Sequence, residues 1–262
     1  MFRRAILSVA LIALAGPIAS LIAAPEKQVI FVGAATNLVH VLSKLHGEFQ
    51  KLNPGFEVRT TTAASGSLFA QIQHGAPYDV FLSADTDYPR QLVAAGLGEA
   101  STVRTFARGR LVAWTTRPGI DPGDFGSWVR DQAIRKVALA QPRTAPYGRA
   151  AQAALEAAGV WMAVQPKIVL GENIAQAAQF VETGHAEVGL VALSLVLVRP
   201  TASPGRWIEI PPAQFAGVSL DHAAVLTVQG TRHPGGRLYL DFLTSAAAQR
   251  ILHQAGYGPP AK

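Results

Sequence analysis

The sequence predicts an α/β fold of two lobes, and three observations support this prediction. The chain has 262 residues, a length that suits one large domain or two modest lobes. Hydrophobic residues make up 49% and charged residues 15%, which excludes intrinsic disorder because disordered chains are poor in apolar residues and rich in charge. Short apolar runs alternate with helical patterns, which indicates parallel or mixed sheets flanked by helices.

The first elements follow directly from this alternation. An apolar run at residues 28–32 predicts a strand, and residues 38–52 carry apolar side chains at helical spacing. Asn53-Pro54-Gly55 ends that helix, because this tripeptide favours a turn. An extended pattern, a short helix and a third strand are then predicted at residues 56–61, 65–74 and 79–83.

The rest of the chain repeats the theme without a flexible linker between the lobes. Gly159 and Gly184 are natural helix ends, and Ser245 is the predicted N-cap between the last two helices. Strands are predicted at residues 111–115, 137–140, 168–170, 188–191 and 223–228. Helices are predicted at residues 148–158, 175–182, 236–243 and 246–253.

Residues 1–24 have the features of a secretory signal peptide. A positive start with Arg3-Arg4 precedes an apolar run, the Gly16-Pro17 break and the small residues Ala23-Ala24. A membrane anchor is the alternative, since the run from Ala5 to Ala24 is long enough to span a bilayer. The break and the small-residue end favour cleavage, so we expect a mature protein that begins near residue 25 in the periplasm.

Charge and cysteine content exclude several function classes. The net charge is +6, but no basic run is longer than two residues, as at Arg3-Arg4, and a protein that binds nucleic acid should cluster its Lys and Arg residues. We therefore expect no nucleic-acid partner. The chain has no cysteine, which removes disulfide scaffolds, thiolate nucleophiles and cysteine zinc sites.

The sequence contains no nucleotide-binding, metalloprotease or serine-hydrolase motif. The seven histidines form no i, i+4 pair, and each is expected to be a surface or capping residue rather than a metal ligand. Asp85 and Asp87 flank Thr86 at a helix start, where N-capping explains them best. A secreted hydrolase that uses Asp79, Asp85 and a histidine stays as an open alternative, although we expect no enzyme.

Small and polar residues gather at four strand-to-helix junctions. A helix N-terminus offers unpaired N–H groups and a positive dipole, which together favour anions. Ligands of open α/β sheets bind at the carboxyl ends of strands, where these junctions lie. Ordinary N-capping could explain each junction alone, but four of them indicate a shared anion site. They are Ala35-Thr36-Asn37, Ala64-Ser65-Gly66-Ser67, Pro146-Tyr147-Gly148 and Glu172-Asn173-Ile174.

At these junctions the sequence resembles the periplasmic molybdate-binding proteins of ABC transporters. The most specific stretch is residues 63–85, which contains the string GAPYDVFLSAD, and the C-terminal stretch is shared by many solute-binding proteins. The resemblance extends in order over nearly all of the mature chain. Its segments are VIFVGAATNL (29–38), AASGSLFAQIQHGAPYDVFLSAD (63–85), RTAPYGRAAQAAL (143–155), GENIAQAAQFVETGHAEVGLV (171–191) and DFLTSAAAQRILHQAGYG (241–258).

The resemblance implies a two-lobed clamp of the periplasmic-binding-protein type (type II-like). Each lobe would be a mixed, mostly parallel sheet flanked by helices, and two crossover strands near residues 109–116 and 221–228 would join the lobes. Lobe I would comprise residues 25–108 and 223–262, and lobe II residues 109–222. The clamp would close on one ligand between the lobes.

The resemblance also implies the ligand residues. The oxyanion would contact Thr36, Asn37 and Ser65 from lobe I. It would contact Tyr147 and the Asn173-Ile174 turn from lobe II, mainly through backbone N–H groups. Some relatives have a tyrosine where this chain has Ala192, and Asn37 would supply the missing donor. Arg143 and Arg149 lie near the third junction, where we expect them to be exposed.

The function that follows is capture of molybdate, and of tungstate, for an inner-membrane permease and its ATPase. The protein would act as a monomer without a cofactor, and its only metal would be that of the bound oxyanion. A clamp for sulfate, phosphate or an organic anion is the main alternative. Ala192 and Asn37 motivate that alternative, because they differ from the residues of some relatives.

Overall fold

The computed structural model describes residues 27–198 and 205–260. The expected signal peptide, residues 1–24, lies outside these ranges. Within them, no helix is both long and apolar enough to cross a membrane. The described chain forms two sheets of five strands each, flanked by helices, so the predicted two-lobed clamp fold is confirmed.

Lobe I is built on the sheet with strand order β2-β1-β3-β10-β4. β1 is parallel to β2 and β3, whereas β10 runs antiparallel to β3 and β4. The carboxyl ends of the parallel strands therefore share one edge. The strands are β1 (Gln28–Ala35), β2 (Phe56–Ala63), β3 (Val80–Ser83), β4 (Arg104–Arg108) and β10 (Asp221–Leu226).

Lobe II is built on the sheet with strand order β7-β6-β8-β5-β9. β6 is parallel to β7 and β8, and β5 is antiparallel to β8 and β9. Both sheets are thus mixed, as expected. The strands are β5 (Leu111–Thr115), β6 (Val137–Ala140), β7 (Ile168–Gly171), β8 (Val188–Ala192) and β9 (Arg206–Glu209).

Ten α-helices occur in the described residues. Lobe I carries α1 (Val39–Leu52), α2 (Ser65–Gln73), α3 (Asp87–Ala94), α9 (Pro234–Leu243) and α10 (Ala246–Gln254). Lobe II carries α4 (Phe125–Arg130), α5 (Pro146–Ala157), α6 (Trp161–Val164), α7 (Ile174–Glu182) and α8 (Leu193–Val196).

Local chemistry explains where several helices begin and end. Gly159 and Gly184 have φ values of 70° and 75°, a left-handed conformation that glycine adopts most easily at a helix end. Ser245 accepts a hydrogen bond from the Ala248 N–H group and so caps α10, which confirms the predicted boundary. α1 buries Val41, Leu42, Leu45 and Phe49 on one face, as the spacing predicts.

The hydrophobic core has separate parts in the two lobes. In lobe I, one cluster packs α1, α9 and α10 on one face of the sheet, and a smaller cluster packs α2 and α3 on the other. Lobe II has one large cluster. Ala35, Ala64 and Ala84 come from lobe I but belong to the lobe II cluster. The lobes are therefore packed together in a closed arrangement.

Two connections join the lobes. The first, Gly109-Arg110, lies inside the range 109–116 where a crossover was expected, and residues 111–115 that follow form a strand of the second sheet. The second, residues 210–220, contains a short 3-10 helix, Pro212–Phe215, and lies before the expected range, because residues 221–226 form a strand of the first sheet. The lobe boundaries at residues 108 and 222 stay a proposal.

Candidate anion site between the lobes

A small cavity lies where the helix starts of both lobes meet. Its volume is small, about 10 Å³. It is lined by Ala35, Thr36, Asn37, Ala63, Ala64, Ser65 and Ala84 from lobe I and by Ala145, Pro146, Tyr147 and Ile174 from lobe II. The structure thus brings five of the six predicted ligand residues together, and Asn173 is not part of the lining.

Three of the helix starts at this cavity have alanine in the N-cap position. Ala35 precedes the 3-10 helix Thr36–Leu38 that leads into α1, Ala64 precedes α2, and Ala145 precedes α5. None of the three starts has a side-chain capping bond. The first N–H groups of a helix have no partner inside the helix. Ordinary N-capping, the alternative for these junctions, is therefore wrong at three of the four.

The fourth start is capped by its own asparagine. Asn173 Oδ1 accepts hydrogen bonds from the N–H groups of Ala175 and Gln176, at 3.0 and 3.1 Å. The side chain of Asn173 is thus directed to α7. Ile174, the first residue of that helix, is 4% exposed and lines the cavity.

Thr36 and Ser65 are the hydroxyl residues of the cavity. Both side chains are buried. Ser65 Oγ accepts a hydrogen bond of 3.0 Å from the Ala84 N–H group, which fixes the oxygen at the end of β3. Because Oγ acts as an acceptor in this bond, its hydrogen stays available for donation to a ligand.

The Asn37 side chain is held from behind the cavity. Its Nδ2 lies 2.6 Å from His222 Nε2 and donates to Tyr257 Oη at 2.9 Å. His222 Nδ1 lies 2.9 Å from the Leu220 carbonyl oxygen, so Nδ1 carries the proton and Nε2 accepts. Both amide hydrogens of Asn37 are then engaged, and Oδ1 is buried without a partner among the described residues. With this geometry only the backbone N–H group of Asn37 is left for a ligand.

Sequence reasoning missed the importance of His222. Burial lowers its pKa to about 4, and the neutral ring stacks edge-on against Tyr257 and Tyr147. The expectation that every histidine is a surface or capping residue is therefore wrong for this one. The only signal in the sequence was a single histidine at the head of an apolar strand.

Tyr147 lines the cavity but its hydroxyl group lies at the link between the lobes. The side chain is buried, and burial raises its pKa well above the ordinary value. The backbone of Arg110 forms a hydrogen bond with the hydroxyl group. A Cβ atom on Gly109 would be 2.2 Å from Tyr147 Oη, so glycine is required there. Ala192 is fully buried at the end of β8.

The residues that line the cavity carry no formal charge. The nearest charged pair in sequence is Asp85, directly after Ala84, with Arg149 in the first turn of α5. Arg149 was expected to be exposed, but its side chain is 30% exposed and forms an ion pair with Asp85, which is 1% exposed. That expectation was wrong because the partner comes from the other lobe. Arg143 is exposed as expected.

The carboxylates of the hydrolase alternative have structural partners. Asp79 Oδ2 accepts a hydrogen bond of 2.8 Å from the Phe31 N–H group. Asp85 Oδ1 accepts from the Tyr88 N–H group at 3.2 Å, a contact at the start of α3 of the kind that the sequence predicted. No group of three or more His, Cys, Asp or Glu residues in the described ranges could hold a metal ion.

Comparisons with known proteins agree with the fold. Residues 30–258 match the family described as "Bacterial extracellular solute-binding protein". The molybdate-binding protein ModA of Azotobacter vinelandii is 36% identical over 228 residues, which cover 87% of this chain and 88% of the relative. ModA of Rhodobacter capsulatus is 34% identical over 229 residues, 87% of each chain.

A solved structure gives the same result. The periplasmic molybdate-binding protein of Azotobacter vinelandii matches with a TM-score of 0.79 and 30% identity, over 88% of this chain and all of that one. These relatives are substrate-binding proteins, a non-enzymatic class. The prediction that the chain is not an enzyme is therefore confirmed. The chain belongs to the bacterial extracellular solute-binding proteins, and the relatives described above are molybdate-binding proteins.

Proposed function

We propose that this protein captures molybdate, and also tungstate, in the cavity between its lobes. One observation carries the proposal. Three helix N-termini whose caps are alanine meet in a small, uncharged cavity that both lobes enclose. Such helix starts bind anions through their N–H groups and dipoles.

The proposed donors are hydroxyl and backbone groups. Thr36 and Ser65 donate through their hydroxyl groups, and Asn37, Tyr147 and Ile174 donate through backbone N–H groups. Asn173 has an indirect role, because its cap fixes the first turn of α7 and thus the position of Ile174.

Neutral donors are sufficient to bind a dianion. A hydrogen bond to a charged group contributes about 1.5–3 kcal/mol. Five such bonds give roughly 7–15 kcal/mol before the cost of closing the lobes. This range includes the roughly 8–12 kcal/mol of micromolar to nanomolar affinity. No lysine or arginine is needed inside the cavity.

The choice of oxyanion would depend on size. Molybdate and tungstate are tetrahedral dianions of nearly equal size, and sulfate is smaller. Fixed donors around a cavity cannot all reach a smaller anion at hydrogen-bond distance. A site for sulfate or phosphate is the second candidate. One observation favours this second candidate. The Asn37 amide is bonded to His222 and Tyr257, so the larger anion has one donor fewer than expected.

Delivery to the membrane completes the proposed function. The signal peptide, residues 1–24, directs the chain to the periplasm, where relatives of this family act. The mature protein binds without a cofactor as a monomer, and the two lobes (25–108 with 223–262, and 109–222) close on the anion. The loaded protein then transfers its ligand to a permease with an attached ATPase.

Calorimetric titration of the mature protein, from about residue 25, tests this proposal. We expect one-to-one binding of molybdate and tungstate, with no heat from sulfate or phosphate. If only sulfate or phosphate binds, the protein is still a clamp for an anion, but the proposed ligand is wrong. Absence of heat from all four anions would contradict the proposed function.

A further inference from the structure

A group of contacts joins the lobes beside the cavity without lining it. Asp85 and Tyr88 belong to lobe I, and Arg149 belongs to α5 of lobe II. Arg149 Nη2 pairs with Asp85 Oδ2, and the guanidinium carbon lies 5.4 Å from the centre of the Tyr88 ring. None of these three residues lines the cavity, so they cannot act on the ligand by direct contact.

The backbone beside this group is also in close contact. The Gly66 N–H group donates to the Thr144 carbonyl oxygen at 2.8 Å, and Tyr88 Oη donates to the Arg143 carbonyl oxygen at 3.3 Å. A Cβ atom on Gly66 would be 2.4 Å from Tyr88 Oη and 3.0 Å from Thr144 Cα. A larger residue at Gly66 would thus clash with Tyr88 and press on the Thr144 backbone of lobe II.

Asp85 is a buried carboxylate whose cation comes from the other lobe. Its side chain is 1% exposed, and burial raises its pKa even though Ser83 Oγ and the Tyr88 N–H group donate to it. A buried carboxylate is unfavourable unless a cation pairs with it. The cation comes from the other lobe, so Asp85 is both buried and paired only in the closed arrangement.

We propose that the Asp85–Arg149 ion pair, stacked on Tyr88, positions the closed lobes and thereby sets how long a captured oxyanion stays bound. This inference rests on the proposed function. When the lobes separate, water solvates both charges and the pair contributes nothing. When the lobes close, the pair stabilises the closed form alone. Arg149 and Asp85 are thus positioning residues that control release and leave ligand association unchanged.

Stopped-flow tryptophan fluorescence with molybdate tests this proposal on the mature protein. Arg149→Ala leaves the Asp85 carboxylate buried and unpaired in the closed form, so we expect release to become at least about tenfold faster and association to stay the same. Arg143→Ala is the matched control. It removes the same charge from an exposed side chain nearby and should release molybdate at the wild-type rate.

A second variant separates the ion pair from a general loss of structure. In Asp85→Asn/Arg149→Ala, the amide oxygen still accepts from Ser83 and Tyr88 but carries no charge that needs a cation. We expect release slower than in Arg149→Ala alone. Equal release rates in wild type, Arg149→Ala and Arg143→Ala would overturn the proposal.

Closure can also be measured without a ligand. Spin labels on exposed positions of the two lobes should report a longer average distance in Arg149→Ala than in wild type or Arg143→Ala. An unchanged distance would count against the ion pair. Wild-type protein that binds no molybdate would instead contradict the proposed function, so the two failures are distinguishable.

Discussion

Two helices that begin at the cavity and three that begin elsewhere start in different ways. α2 and α5 begin after alanine, without a side-chain cap. α4, α9 and α10 begin after Asp124, His233 and Ser245, and each of these side chains accepts an N–H bond from the first turn. A capping side chain is worth about 1 kcal/mol of stability. α2 and α5 therefore lack this stabilisation at starts whose N–H groups can serve a ligand. The contrast is not general, because Asn173 caps α7 at the cavity, and α6 and α8 have no side-chain cap.

The largest expected effect comes from a cap placed at the cavity. In Ala64→Asp, the carboxylate would accept the first N–H groups of α2 and repel a dianion. We expect a loss of molybdate affinity of at least about 3 kcal/mol, since a charged group takes the place of the ligand. Calorimetry measures this loss. Ala246→Asp places the same charge in the first turn of α10 and should leave affinity unchanged. If both variants bind equally well, the cavity is not the anion site.

Acid should lower the free energy of unfolding through His222, the buried histidine that contacts Asn37. The pKa of His222 is lowered by burial to about 4, below an unfolded value of about 6.5. The native state then binds fewer protons than the unfolded state, so stability is full above pH 6.5 and is lost as the pH falls towards 4. We expect a slope of up to about 1.4 kcal/mol per pH unit from this residue.

Urea unfolding at several pH values measures that slope. His46, whose pKa burial also lowers to about 4, adds a similar dependence from lobe I. His222→Gln keeps an acceptor for Asn37 and does not titrate, so the variant should retain only the His46 part. An identical pH dependence in both proteins would mean that His222 is not buried and neutral.

Removal of one proposed donor should have an intermediate effect. Ser65→Ala removes a hydroxyl group that lines the cavity and accepts from Ala84. We expect molybdate binding to weaken by about 1–3 kcal/mol, with the protein still folded. Titration calorimetry and circular dichroism measure the two quantities. Unchanged affinity would contradict the assignment of Ser65 to the site.

The smallest effect should come from a cap remote from the cavity. Ser245→Ala removes the bond from the Ala248 N–H group at the start of α10. We expect the free energy of unfolding to fall by about 1 kcal/mol and molybdate affinity to stay the same. Urea unfolding and calorimetry together test this. A loss of affinity here would show that stability and binding are coupled through the whole of lobe I.

The fold was predictable because its signals are local. Apolar runs and helical spacing specify β5 and β6 at their observed bounds, and Gly159 marks the end of α5. β9 was not predicted, because a four-residue strand with exposed side chains has little apolar pattern. The convergence of the helix starts was also predictable, since parallel strands bring their carboxyl ends to one edge.

The contacts that hold the site were not predictable. Asn37 and His222 are 185 positions apart in sequence, and Asp85 and Arg149 are 64 apart. Each pair meets only through the packing of whole elements, for which one sequence has no local signal. The alanine caps were visible at positions 35, 64 and 145. Alanine cannot cap a helix with its side chain, so it is unusual at an N-cap position and leaves the first N–H groups of the helix open.

The two links between the lobes have unequal lengths, and this inequality constrains how the clamp can move. Gly109-Arg110 joins β4 to β5 directly, whereas residues 210–220 form a longer connection. A two-residue link permits rotation but very little translation, so it acts as the pivot of the motion. The hydroxyl group of Tyr147 lies against this pivot. Because Tyr147 lies so close to this link, such a rotation would displace its hydroxyl group less than it displaces the far end of α5.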